Sequence, residues 1–207
     1  MESYRTVAER AAAEFVVQGS EFIGHVAPAD TVDEAEAFVA AVEAEYDDAT
    51  HNVPAYRVPA GDDASTAPGD VLLREYSSDD GEPTGSAGKP ALNVLQQRDL
   101  RNLVVVVTRY YGGTNLGVGG LARAYAKAVK DGVDAAGVAE EVPHERFAVT
   151  TAYDDSGTVR GILESAGVDF DAEYDAAVEF RVRAPVDDAA GLRDRLRSAT
   201  SGRVDIE

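Results

Sequence analysis

Residues 103–133 read LVVVVTRYYGGTNLGVGGLARAYAKAVKDGV, and this stretch decides the fold. Leu103 to Val107 is an unbroken aliphatic run, continued by Thr108, and reads as a buried strand. A glycine-rich loop, Gly112 to Gly120, follows it. From about Leu121 to Val133 the apolar residues recur at helical period, so the loop opens a helix. Strand, glycine loop and helix in that order predict an α/β (α+β) architecture.

Working outward, strands are expected near 13–18 and 21–27, where apolar and polar residues alternate. Thr31 is an N-cap with Glu34 at the capping-box spacing, and Val32, Ala35, Val39, Val42 and Tyr46 then share one helical face. A strand at 53–58 leads into a polar stretch, 61–70, read as an exposed loop. A further strand at 71–76, a loop at 77–88 and a short helix at 90–97 complete the approach to Leu103. Beyond it, Gly137 to Pro143 reads as a boundary, giving domains 1–140 and 141–207. The second domain reads βαββαβ, with strands at 146–152, 168–174, 178–184 and 203–206 and helices at 156–166 and 188–198. That order is the ferredoxin-like, split-βαβ pattern.

The chain has 207 residues and a formal net charge of −19. It has no cysteine, which excludes disulfide scaffolds, thiolate metal sites and a cysteine nucleophile. No apolar run approaches the roughly 18 residues that span a bilayer, and the first residues, MESYRTVAER, do not read as a signal peptide. A soluble, cytoplasmic protein is expected, with no membrane partner. Arginine far outnumbers lysine among acids and alanines, a surface suited to molar salt, so the acidity is read as halophilic adaptation rather than as a basic partner's footprint. The charge is uneven. Residues 83–130 hold one acid, Asp99, against seven bases, and all three lysines, Lys89, Lys127 and Lys130, lie there.

Two loops in and beside that segment point at one chemistry. SSDDGEPTGSAGKP spans 77–90 and RYYGGTNLGVGG spans 109–120, each ahead of an expected helix. Helix N-termini present free N–H groups, and glycines let an anion approach them. Lys89 and Arg109 would add charge at the two loops, and Arg123, Lys127 and Lys130 form a stripe at i, i+4, i+7. Phosphate is the guest this arrangement suits. Tyr110 and Tyr111 are candidates for base stacking or for packing over the sheet edge. Asp79, Asp80 and Glu82 could hold Mg²⁺ or act as an acid/base pair, but turn and capping chemistry is the favoured reading. His25, His51 and His144 stand apart in sequence, and no nucleophile elbow is present.

Ser78 to Gly85 with Ala87-Gly88-Lys89-Pro90 resembles the first hallmark of the IMPACT/YigZ family. Val105 to Gly113, Leu116-Gly117, Gly119-Gly120-Leu121 and Ala124-Tyr125 resemble the second, and Phe22-Ile23 and Asp48-Ala49-Thr50-His51 are similar to that family too. The resemblance covers roughly residues 15–135. Asn52 departs from it, since the family often has a second histidine there, as does Thr114-Asn115. The resemblance implies an N-terminal domain with the fold of the second domain of a small-subunit ribosomal protein, shared with GHMP kinases. It implies a C-terminal domain similar to the last domain of the translocating elongation factor. Eukaryotic relatives regulate translation in the kinase pathway that senses uncharged tRNA. The family has no established catalytic residues, so none is carried over.

The expectation is a non-enzymatic regulator linked to translation. It would contact RNA or the ribosome through Lys89, Arg109, Tyr110, Gly112, Gly113, Gly117, Gly119, Gly120, Arg123, Lys127 and Lys130. The loop motif Asp79, Asp80, Gly81, Glu82 and Gly85 would lie beside that surface, with no metal and no cofactor. Two alternatives stay open: a nucleotide or small phosphorylated-ligand enzyme, and a protein-interaction module, with a protein of the translation machinery as a candidate partner. The sequence leaves the oligomeric state open.

Overall fold

The LVVVV run is the middle of a sheet. In the computed structural model, which describes residues 3–60 and 72–207, β6 (Leu103–Tyr110) is buried from Leu103 through Arg109. It lies between β3 (Ser20–Pro28) and β4 (His51–Pro59), with β2 (Ala11–Val17) and β5 (Leu73–Ser77) at the two edges. The order is β2-β3-β6-β4-β5, and every pairing is antiparallel. A continuous apolar strand is the habit of parallel sheets, but here both faces of an antiparallel sheet are covered. α2 (Gly88–Gln97) and α3 (Gly117–Ala136) pack on one face, around Phe22, Val53, Val105, Val107, Leu95 and Tyr125. α1 (Val32–Glu45) covers the other, around Ala35, Tyr56, Val58 and Val104.

The described residues fall into two units, one ending at Glu141 and the other beginning at Val142. Within the first, β1 (Tyr4–Val7) pairs with β7 (Val138–Glu141), strands the sequence did not announce. β7 occupies part of the stretch read as a boundary. The loop expected at 61–70, and the start of the strand expected at 71, lie outside the described residues. Thr31 caps α1 as anticipated, its Oγ1 accepting from Glu34 N–H at 3.1 Å. Glu34 reaches back one residue further than a capping box requires, to Asp30 N–H at 2.7 Å.

α3 lies against β2 and β3 because two glycines let it. A Cβ at Gly24 would stand 2.2 Å from the Ala128 carbonyl oxygen, and one at Gly132 would stand 2.7 Å from the Gly24 carbonyl oxygen. This close approach seats the C-terminal half of α3 on β3.

In the second unit β8 (His144–Thr151), α4 (Tyr153–Ala166), β9 (Asp169–Tyr174), β10 (Val178–Pro185), α5 (Val186–Ala199) and β11 (Asp205–Ile206) follow in βαββαβ order. Their antiparallel sheet runs β11-β8-β10-β9, over a core that includes Phe147, Leu163, Phe180 and Leu196. The element order matches the split-βαβ expectation.

Candidate functional site

The two glycine loops are built differently. At the start of α2, Asp79 places its own carboxylate where an anion would bind. Its Oδ1 accepts from Gly88 N–H at 2.9 Å and Ala87 N–H at 3.1 Å, and its Oδ2 from Gly85 N–H at 2.8 Å. Burial alone would raise the Asp79 carboxyl pKa, but these three backbone donors outweigh it and hold the group below the usual carboxylate range. The loop expected to take a phosphate is thus filled by the chain itself, and Lys89 stands exposed beside it. The Asp80 backbone is left-handed, at φ +43°. Its Oδ2 accepts from Asn52 N–H at 2.6 Å, and its carbonyl faces His51 Nδ1 at 2.5 Å.

Glu82 turns inward. Its Oε1 pairs with the Arg109 guanidinium, accepts from the Tyr125 hydroxyl at 2.8 Å and lies 3.8 Å from His51 Nε2. Glu82 is 8% exposed and Arg109 4%. The Arg109 guanidinium lies over the rings of Phe22 and Tyr111, at 5.4 and 5.5 Å from their centroids. Burial, then the Glu82 charge, pushes the Tyr125 phenol far above its ordinary value, so it stays a neutral donor. Removing either charge would leave its buried partner uncompensated, which typically costs about 3–5 kcal/mol. The three loop acids thus serve different partners: Asp79 the backbone at the start of α2, Asp80 the Asn52 N–H, and Glu82 the Arg109–Tyr125 cluster.

The sequence-based role of Arg109 therefore changes. Expected at the surface among the phosphate-binding cations, it is interior and neutralised by Glu82. Tyr110, also expected there, donates to Asp48 at 2.7 Å, and that hydrogen bond, with burial second, pushes its phenol up to about 12. Tyr111 is the exposed ring of the pair, 46% accessible, steadied by its hydroxyl on Asn115 at 3.1 Å.

At α3 the N-terminus is open. Leu116 occupies the cap position with no side-chain hydrogen bond to the helix. Gly113 and Gly117 are left-handed, and a Cβ at either would meet nothing within 4 Å. Gly112 is the exception, since a Cβ there would stand 1.9 Å from the Gly19 carbonyl carbon, so this glycine seats the loop on the β2–β3 turn. Gly112, Gly113, Gly117 and Gly119 are exposed and Gly120 is half-buried. Arg123, Lys127 and Lys130 all point to solvent. Lys127 pairs with Asp131 and also covers the Phe15 ring at 4.4 Å, whereas Arg123 and Lys130 make no ion pair among the described residues.

Sequence reasoning missed the Glu82–Arg109–Tyr125–His51 cluster. Two signals pointed to it: Glu82 lies in the first motif while Arg109 and Tyr125 both lie in the second, and Tyr125 follows Leu121 on the buried face of its helix.

Known proteins share both halves of this chain. Residues 18–133 match the Impact N-terminal domain, and residues 149–203 match a domain of unknown function, DUF1949. The chain is 34% identical to the IMPACT family member YvyE of Bacillus subtilis over 100% of its length and 91% of that protein's. It is 32% identical to YigZ of Escherichia coli over 92% of its length and 90% of that protein's. The crystal structure of a hypothetical protein superposes with a TM-score of 0.66 at 31% identity, covering 100% of this chain and 97% of the other.

Proposed function

Because the chain belongs to the IMPACT family, we propose that it is a non-enzymatic, translation-linked regulator that grips RNA or the ribosome with the open end and outer face of α3. The carrying observation is the uncapped N-terminus of α3 beside three solvent-facing cations, Arg123, Lys127 and Lys130, in a chain of net charge −19. Backbone amides and cations together suit phosphate oxygens, while the exposed Tyr111 ring offers a stacking face. Gly113, Gly117 and Gly119 leave room for a phosphate to reach the backbone. Arg109 supports this surface from beneath, holding Tyr111 and closing the loop against Glu82.

The non-enzymatic reading rests on how the polar groups are used. Glu82, Arg109, Tyr125 and His51 face one another, and Asp79 serves its own helix. Filter binding of a labelled single-stranded RNA across a salt series tests the proposal. Reversing Arg123, Lys127 and Lys130 to Glu should weaken binding and flatten the salt slope by up to about 3 phosphate contacts' worth. Unchanged affinity and slope would remove α3 as the RNA surface. Thermal stabilisation by a nucleotide, retained in that variant, would favour the enzyme reading instead.

A further inference from the structure

Among the described residues β2 is an edge strand, paired only with β3. Its hairpin turns through Gln18 and Gly19, both left-handed, with Val17 opposite Ser20. Counting back from that closing pair, alternate residues bond β3, and Ala12, Glu14 and Val16 turn their N–H and C=O groups outward. All three are exposed, Val16 to 68%. Edges of this kind are usually blunted by lysine, proline or a bulge. β2 reads AAAEFVV in unbroken register, with no lysine, proline or bulge, and Glu14 as its one, solvent-facing charge.

Beside this edge runs a groove of about 350 Å³, between the end of β2 and the first turns of α3. Phe15, Val17, Leu116 and Ala124 give it apolar walls, and Arg123 and Lys127 rim it. The Phe15 ring is held firmly, stacked on Phe22 at 5.4 Å with the Lys127 ammonium on it. A free strand edge alongside a groove is the geometry of strand addition, in which backbone bonds bring affinity and alternate side chains fill the groove. The outward donors and acceptors recur every second residue, about 7 Å apart, which matches another extended polypeptide.

We propose that β2 and α3 form a docking groove for an extended acidic peptide of a partner protein, which adds as a sixth strand along β2 and sets a carboxylate between Arg123 and Lys127. Charge selects the occupant: the rim is cationic, and Arg123 has no ion pair among the described residues. This goes beyond the RNA reading. It shares two cations with it but depends on the strand edge, which RNA would not use.

The test titrates the full-length, ¹⁵N-labelled protein with a peptide of alternating valine and glutamate about eight residues long, and with a valine–lysine counterpart. Saturable shifts at the Ala12, Glu14 and Val16 amides with the valine–glutamate peptide alone are the expected result. Val16→Pro removes an outward N–H that the ladder does not use, and should weaken peptide binding about tenfold or more while leaving RNA binding unchanged. Arg123→Glu with Lys127→Glu should weaken it to a similar degree, and decides the matter if Val16→Pro does not fold. No saturable binding, equal binding of both peptides, or shifts that spare the β2 amides would overturn the proposal.

Discussion

α2 and α3 begin alike in sequence and unlike in structure. Each follows a loop rich in glycine, and each carries a basic residue near its start. At α2 the loop is closed by the carboxylate of Asp79, which takes three backbone N–H groups. At α3 no side chain among the described residues does that work, and Gly113 and Gly117 face open space. At α2 the chain thus supplies its own anion through Asp79, whereas at α3 the anion would come from the ligand proposed above. One loop is closed by its own carboxylate and the other is left without a side-chain cap.

The sharpest break of that contrast is at Glu82, which belongs to the closed loop and pairs with Arg109 at the root of the open one. Glu82→Ala should cost about 3–5 kcal/mol, because it leaves a buried guanidinium without its counter-charge. Denaturant unfolding reads this, and a loss below about 1 kcal/mol would show that the pair matters little. Next is Asp79→Ala, expected to cost about 2 kcal/mol as a lost helix cap. The Asp79 carboxyl pKa is depressed in the folded state, so its stabilisation is complete above about pH 4 and fades as pH falls through the lowered value. The wild type should lose this increment on acidification, whereas Asp79→Ala, having none to lose, should show a shallower acid slope.

Paired glycine substitutions sharpen the comparison further. A Cβ at Gly88 would stand 2.4 Å from the Ser78 carbonyl oxygen, so Gly88→Ala should cost about 1–3 kcal/mol. Gly119 sits in open space save for Arg123 Nη1 at 3.5 Å, so Gly119→Ala should be neutral or stabilising by up to about 1 kcal/mol. If Gly119→Ala also weakens RNA binding while melting no lower, the glycine is there for the ligand and not for the fold.

Much of this architecture was legible in the chain. The β6 run, the Thr31 cap and the βαββαβ order follow from local pattern, because aliphatic runs, capping spacing and helical period are short-range signals. β1 and β7 were missed, since four-residue strands pairing across the unit carry almost no local signature. The antiparallel sense of the sheet was equally hidden: β6 is aliphatic because it is covered on both faces, and strand direction plays no part in that. At the site, the exposed stripe of Arg123, Lys127 and Lys130 was readable from helical spacing. The burial of Arg109 was not, because its partner lies 27 positions away and only the folded sheet brings the two together.

Cosedimentation with ribosomes in molar KCl is the most direct measurement, comparing the wild type with Arg123→Glu, Lys127→Glu, Lys130→Glu. Arg109 is left untouched, so that the fold survives and only the outer face of α3 changes. The wild type should pellet with ribosomes and the variant should remain in the supernatant at unchanged thermal stability. Equal cosedimentation of the two, or none by the wild type, would contradict an RNA- or ribosome-binding role for α3.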